Sequence, residues 1–174
     1  MEQTITTSTT KGIVIALILV VLALVTYFLD IKVNGPLQWI GYAIFIGGII
    51  WSVMSYGRQV NYNSTFGNYF AHGFKVAALV TAIMIIYIIV FVLLFPDFKE
   101  KAIAEARKSM QSKNNLTEEQ IKTGLEMTRK FFMVFLVGGT LIGYLLFGAL
   151  ASLVGAAVTK KEPQNLAGNN QIGQ

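Results

Sequence analysis

The chain has 174 residues, of which 54% are hydrophobic and 13% charged, with a formal net charge of +5 and a mean hydropathy of +0.58. Soluble domains carry roughly 25% charged residues, so this chain has about half the usual charge, and a water-soluble globule is excluded together with a disordered or collagen-like chain. The lack of cysteine removes disulfide scaffolds and thiolate metal sites, leaving an all-α integral membrane protein of one domain.

Residues 1–11 are rich in Thr and Ser and are expected to be a flexible N-terminus. Four apolar stretches follow, each close to or above the ~20 residues that cross a bilayer as helix. Residues 12–29 form the first, which contains no charge; no small-residue cleavage site follows, so it reads as a retained helix rather than a signal peptide. Asp30 to Pro36, with Asn34, Gly35 and Pro36, predicts a tight turn. Residues 37–56 form the second span, with Trp39 and Tyr42 at one end and Trp51 and Tyr56 at the other, aromatics suited to headgroup boundaries. Gly57 to Gly73, with Arg58, several Asn and the aromatics Tyr62, Phe66, Tyr69 and Phe70, reads as a connection lying along the membrane surface.

The third span is residues 74–95 and the fourth residues 131–158; at 1.5 Å per residue the fourth is about 42 Å long and must tilt or protrude. Strict alternation is absent, so a barrel is not expected. Residues 96–130 between these spans hold eight bases and six acids. There Phe98, Ala102, Ala106 and Met110 recur every fourth residue, which places them on one face of a helix opening after Pro96 with Asp97 and Glu100 in its first turn. Asn114 and Asn115 break it, and Thr117 stands three before Gln120, the spacing of a capping box. A second stripe, Ile121, Leu125, Thr128 and Phe132, leads into the fourth span. The expectation is a charged helical hairpin outside the hydrocarbon core. Pairs of opposite charge four residues apart, such as Glu118 with Lys122, read as a solvated face. The tail, residues 164–174, is polar and expected to be flexible.

No catalytic site, cofactor site or metal site is expected. His72 is the only histidine, and neither a metalloprotease, a nucleophile-elbow nor a phosphate-loop motif occurs. His72 and Lys75 lie at the entry of the third span, where a lysine stem reaches back to the headgroups; the sharper alternative is an anionic lipid headgroup or partner carboxylate bound there. Tyr87 and Tyr144 fall near mid-membrane and each should find a hydroxyl or carbonyl partner, with Thr81, Thr140, Ser52 and Ser55 available. Packing gives the clearest pattern. In the fourth span Gly139, Gly143, Ala151 and Gly155 lie along one ridge interrupted by Phe147, with Gly148, Ser152 and Ala156 on the next, and small residues at this spacing let helices approach closely.

Basic residues count five against five on the two sides, and the acids tip the expectation to cytoplasmic termini. The order of features, Phe70-Ala71-His72-Gly73-Phe74-Lys75, Pro96-Asp97-Phe98, Glu126-Met127, Lys130-Phe131 and Lys160-Lys161-Glu162-Pro163, resembles a bacterial family known as domain of unknown function 4199. The resemblance covers roughly residues 12–163, implies a small multi-pass protein of the bacterial inner membrane, and supplies no activity. The expected function is therefore that of an accessory or assembly subunit, not an enzyme, that binds another membrane protein, itself, or lipid, with Phe98 to Met110 and the glycine ridge as the interaction candidates. A passive transporter or channel component working as an oligomer is the alternative, and no nucleic acid is expected as partner.

Overall fold

The computed structural model describes residues 7–29, 38–112 and 116–159. Among these the chain forms six helices and no strand: α1 (Ser8–Phe28), α2 (Gln38–Gln59), α3 (Phe66–Leu94), α4 (Asp97–Gln111), α5 (Glu118–Lys130) and α6 (Phe132–Val158). Four of them, α1, α2, α3 and α6, are long and apolar enough to cross a membrane. Their outer faces carry large apolar side chains in the open, including Leu17, Ile18, Trp51, Ile86, Leu93, Phe135 and Ile142. Water would not tolerate such continuous apolar surface, whereas hydrocarbon does, and helices satisfy their interior backbone groups within themselves. This is an all-α membrane-embedded fold with four candidate spans and a charged helical hairpin inserted before the last.

The helix ends follow local chemistry. Thr7 caps α1, its hydroxyl accepting from the Thr10 amide, so the helix starts four residues before the boundary expected at Gly12. At the end of α2, Asn61 and Tyr62 adopt the left-handed region (φ 51° and 57°). Tyr62 N–H donates to the Gly57 carbonyl at 2.7 Å and Asn61 N–H to that of Arg58, the paired bonds of a Schellman stop. Thr65 then opens α3, its hydroxyl accepting from the Asn68 amide. The connection expected along the membrane surface is thereby corrected. Only residues 60–65 link the helices; Phe66 to Gly73 are the first two turns of α3, because a stop and a cap lie back to back in the sequence. Thr117 forms the expected capping box with Gln120, and Asp97 and Glu100 occupy the first turn of α4. The turn expected at Asp30 to Pro36, the break at Asn114 and Asn115, and the tail lie outside the described residues.

The chain divides into two compact units, residues 1–80 with 145–174, and residues 81–144. In the first, α1, α2, the start of α3 and the end of α6 pack around Ile15, Phe45, Ile49, Val53, Val76, Val80 and Ala156, all buried. Small residues set the spacing. A Cβ placed on Gly48 would lie 3.0 Å from Ile15, one on Gly148 2.5 Å from the Cβ of Ala77, and one on Gly73 2.7 Å from Val53 and 2.8 Å from the Ser152 hydroxyl. Those glycines are where helix backbones meet. In the second unit, the Phe98 ring stands edge-on to Phe91 and to Phe132, and Ile103 and Ile121 are buried between α4 and α5. Arg129 and Glu100 bridge the two hairpin helices at 2.8 Å, a pair between helices that the four-residue spacing of charges does not reveal.

Candidate functional site

The polar residues of the first unit converge at one end, where the start of α1, the end of α2, the start of α3 and the end of α6 meet. Lys11 is 2% exposed. Its ammonium donates to the Ser52 backbone carbonyl at 3.3 Å. A lysine ammonium has three N–H donors, so two remain without an acceptor among the described residues. The Ser52 hydroxyl lies 3.2 Å from His72 Nε2, and the His72 ring stacks on Tyr56 with centroids 4.3 Å apart and planes within 7°. Tyr56 in turn meets Tyr69 edge-on at 5.9 Å. Tyr69 is fully buried, and its hydroxyl has no hydrogen-bond partner among the described residues.

Helical spacing explains the convergence. Lys11 heads the buried stripe of α1, followed by Gly12, Ile15, Ala16 and Leu19, so it points inward with them. Ser52 lies beside the buried Val53 on α2, while Tyr69, His72, Gly73 and Val76 turn one face of α3 toward it. Ser152 and Thr159 close the end of α6, and each donates its hydroxyl to a carbonyl four residues back, Gly148 and Gly155. Each hydroxyl thereby spends its single donor on its own helix. The first unit contains no described Asp or Glu: all six described carboxylates, Asp97, Glu100, Glu105, Glu118, Glu119 and Glu126, belong to the second. Among the described residues, a buried ammonium with one carbonyl acceptor and a buried phenol without a partner leave this end chemically incomplete. Burying polar groups without partners costs on the order of 1–3 kcal/mol each, and more for a charge.

Lys11 and Tyr69 are the site residues that sequence reasoning missed. Lys11 falls at the edge of a stretch expected to be flexible, yet its spacing from Ile15 and Leu19, four and eight residues on, is the signal that assigns it to the buried stripe. Tyr69 was hidden by the expected surface connection. His72 and Lys75, which the sequence does single out, separate here: His72 is half-buried in the cluster, and Lys75, one turn later in the chain, is exposed beside the stacked pair Phe70 and Phe74.

The other expected site residues are placed as follows. Gly148, Ala151, Ser152 and Gly155 are buried in the first unit, where a Cβ on Gly155 would lie 3.1 Å from Val53. Phe147, which interrupts the ridge, packs on Tyr42 at 5.2 Å. Gly139 and Gly143 differ, since a Cβ on either meets nothing within 4 Å. The stripe of α4 is occupied within its own unit: Phe98 holds Phe91 and Phe132, the Met110 tip would be 3.3 Å from a Cβ on Gly124, and Ala102 and Ala106 are half-buried. Phe98 to Met110 is therefore less a waiting partner surface than the inner face of the hairpin, because α5 folds back on it. An open cleft of about 660 Å³ remains between α4 and α5, floored by Ile103 and Ile121 and rimmed by charges of both signs, Glu100, Arg107, Lys122 and Arg129 among them. Of the mid-membrane hydroxyls, Tyr87 rests its ring on Phe91 at 5.5 Å, and Tyr144 lies half-buried on α6. Thr140 donates to the Leu136 carbonyl of its own helix.

The model of a protein family described as "Protein of unknown function (DUF4199)" matches residues 10–161. The chain belongs to this family. No curated protein and no solved structure matches it. The matched residues begin one position before Lys11, two residues into α1, and run past the end of α6, so the match takes in every residue of the polar cluster.

Proposed function

We propose that this DUF4199 protein is an accessory or assembly subunit of the bacterial inner membrane, with cytoplasmic termini, that binds another membrane protein or lipid. The observation that carries this reading is the division of the small-residue ridge on α6. Gly148, Ser152 and Gly155 meet the chain's own helices, whereas Gly139 and Gly143 present bare backbone to empty surroundings. Glycine in a helix interior costs about 0.5–1 kcal/mol relative to alanine, so uncovered glycines on one ridge make most sense where a second helix comes close. Their neighbours Phe135 and Ile142 are large, apolar and exposed, giving such a helix a surface to pack on. A path for solutes finds less support, since the Thr140 hydroxyl is committed to its own helix. The role is one of binding, with no catalytic chemistry assigned.

Purification from native membranes in mild detergent tests the reading. The chain should bring down a partner in fixed stoichiometry, and Gly143→Leu should lose that partner at least tenfold while the variant remains folded by circular dichroism. Recovery of the wild-type chain alone, or an unaffected complex with Gly143→Leu, refutes the binding of a partner protein at this ridge.

A further inference from the structure

Lys11, Ser52, His72, Tyr56 and Tyr69 are linked in that order by successive contacts, and the two ends of the series, Lys11 and Tyr69, are not completed by the described residues. We propose that this end of the first unit binds an anionic phosphate group, in the membrane the headgroup of an acidic phospholipid. Two independent features ask for such a ligand. The first is Lys11, 2% exposed, with a single carbonyl acceptor and no described carboxylate in its unit. The second is Tyr69, fully buried with an unpartnered hydroxyl. Both are donors, and a phosphate group offers several acceptor oxygens and no obligatory donor of its own. A water molecule would serve the phenol but bring the ammonium no counter-charge, and the described residues of this unit supply none.

Position and surroundings agree with a lipid source. Lys11 and Tyr69 stand in the first turns of α1 and α3, which open at the caps Thr7 and Thr65, and helix N-termini favour anions. Lys75 adds an exposed cation on α3, three residues after His72. Exposed apolar side chains, Phe66 and Phe74, stand on the same helix as Tyr69 and His72 and give acyl chains a surface next to the charges. Basic groups between membrane helices at headgroup level are the usual receptors for acidic lipids. His72 positions the site: its bond to Ser52 and its stack on Tyr56 hold α2 and α3 together around Lys11.

The proposal deepens the accessory reading by naming the lipid chemistry, and the two fail separately: partner recovery does not depend on this site, and the titration below needs no partner. The full chain, purified in neutral detergent and stripped of lipid, is titrated with phosphatidylglycerol, phosphatidylcholine, inorganic phosphate and an acidic peptide while thermal unfolding is followed by Trp39 and Trp51 fluorescence. A hundredfold excess of phosphatidylglycerol over its Kd should raise Tm by about 5–10 °C. Stabilisation by phosphatidylglycerol alone supports the lipid headgroup; stabilisation by inorganic phosphate at equal concentration supports the phosphate site with free phosphate as its ligand. Lys11→Gln should weaken the effect at least tenfold. Tyr69→Phe removes only the hydroxyl, so it should fold, keep the lipid-free Tm or raise it, and bind several-fold more weakly. Equal stabilisation by phosphatidylcholine, equal stabilisation by the acidic peptide, or a Tyr69→Phe titration identical to wild type overturns the proposal, whether or not Lys11→Gln folds.

Discussion

Gly148→Ala is a demanding test of how α3 and α6 meet. The added methyl would lie 2.5 Å from the Cβ of Ala77 and 3.4 Å from the Phe45 ring tip. Carbon atoms at rest sit about 3.5–4.0 Å apart, so the two methyls must separate by an ångström or more. Neither has a torsion that could carry it away, because each is bonded directly to its helix backbone; relief requires moving a whole helix. Gly148, Ala77 and Phe45 are all buried, which blocks an easy outward shift. Overpacking of this kind costs typically ~1–3 kcal/mol, against ~0.5–1 kcal/mol gained from replacing a helical glycine. Overpacking at the upper end of that range wins, leaving a net loss of about 2 kcal/mol and a Tm lower by about 4–8 °C. The second substitution supplies the control. Ala77→Gly alone should cost about 1 kcal/mol, yet combined with Gly148→Ala it removes the clash, and the double variant should be more stable than Gly148→Ala. Thermal unfolding in detergent, read by tryptophan fluorescence, measures all four proteins. If Gly148→Ala matches or exceeds wild type, or if the two losses simply add, the close approach of these helices is wrong.

Three further outcomes are expected. Thr117→Ala removes the hydroxyl that accepts from Gln120 N–H, costing α5 about 1 kcal/mol, so amides of residues 120–122 should exchange roughly fivefold faster, and unchanged exchange would contradict the capping box. Glu100→Gln breaks the bridge to Arg129, but both side chains are more than half exposed, so Tm should fall by no more than about 2–4 °C and the loss should vanish in high salt; a larger, salt-insensitive loss would mean the pair is shielded from solvent. After a carbonate wash of cell membranes the chain should stay with the pellet, and its appearance as a folded, detergent-free soluble species would remove lipid from the account.

The architecture was largely legible because its signals are local. Uninterrupted apolar runs, Pro96 before Asp97 and the Thr117–Gln120 box each act within a turn or two of helix, and the helices begin and end close to where those residues place them. The connection before α3 was misplaced for an equally physical reason. Aromatic and Asn-rich composition suits an interface, but it cannot show that Asn61 would accept a left-handed conformation and stop one helix four residues before Thr65 starts the next. The ridge of α6 was visible as spacing, while its division between covered Gly148 and uncovered Gly143 was not, since neighbours from distant segments decide it.

Composition and periodicity by themselves determined that most of this chain needs hydrocarbon around it, that it is helical, and that a charged hairpin precedes the last span, because each depends on the free energy of a segment in its solvent. Only the tertiary structure decided that Lys11, Ser52, Tyr69 and His72 share one end of a unit, since they come from three helices and sequence spacing relates only Tyr69 to His72. Their lack of partners among the described residues is likewise a property of the fold, since an ammonium or a phenol needs a protein partner only once packing excludes water.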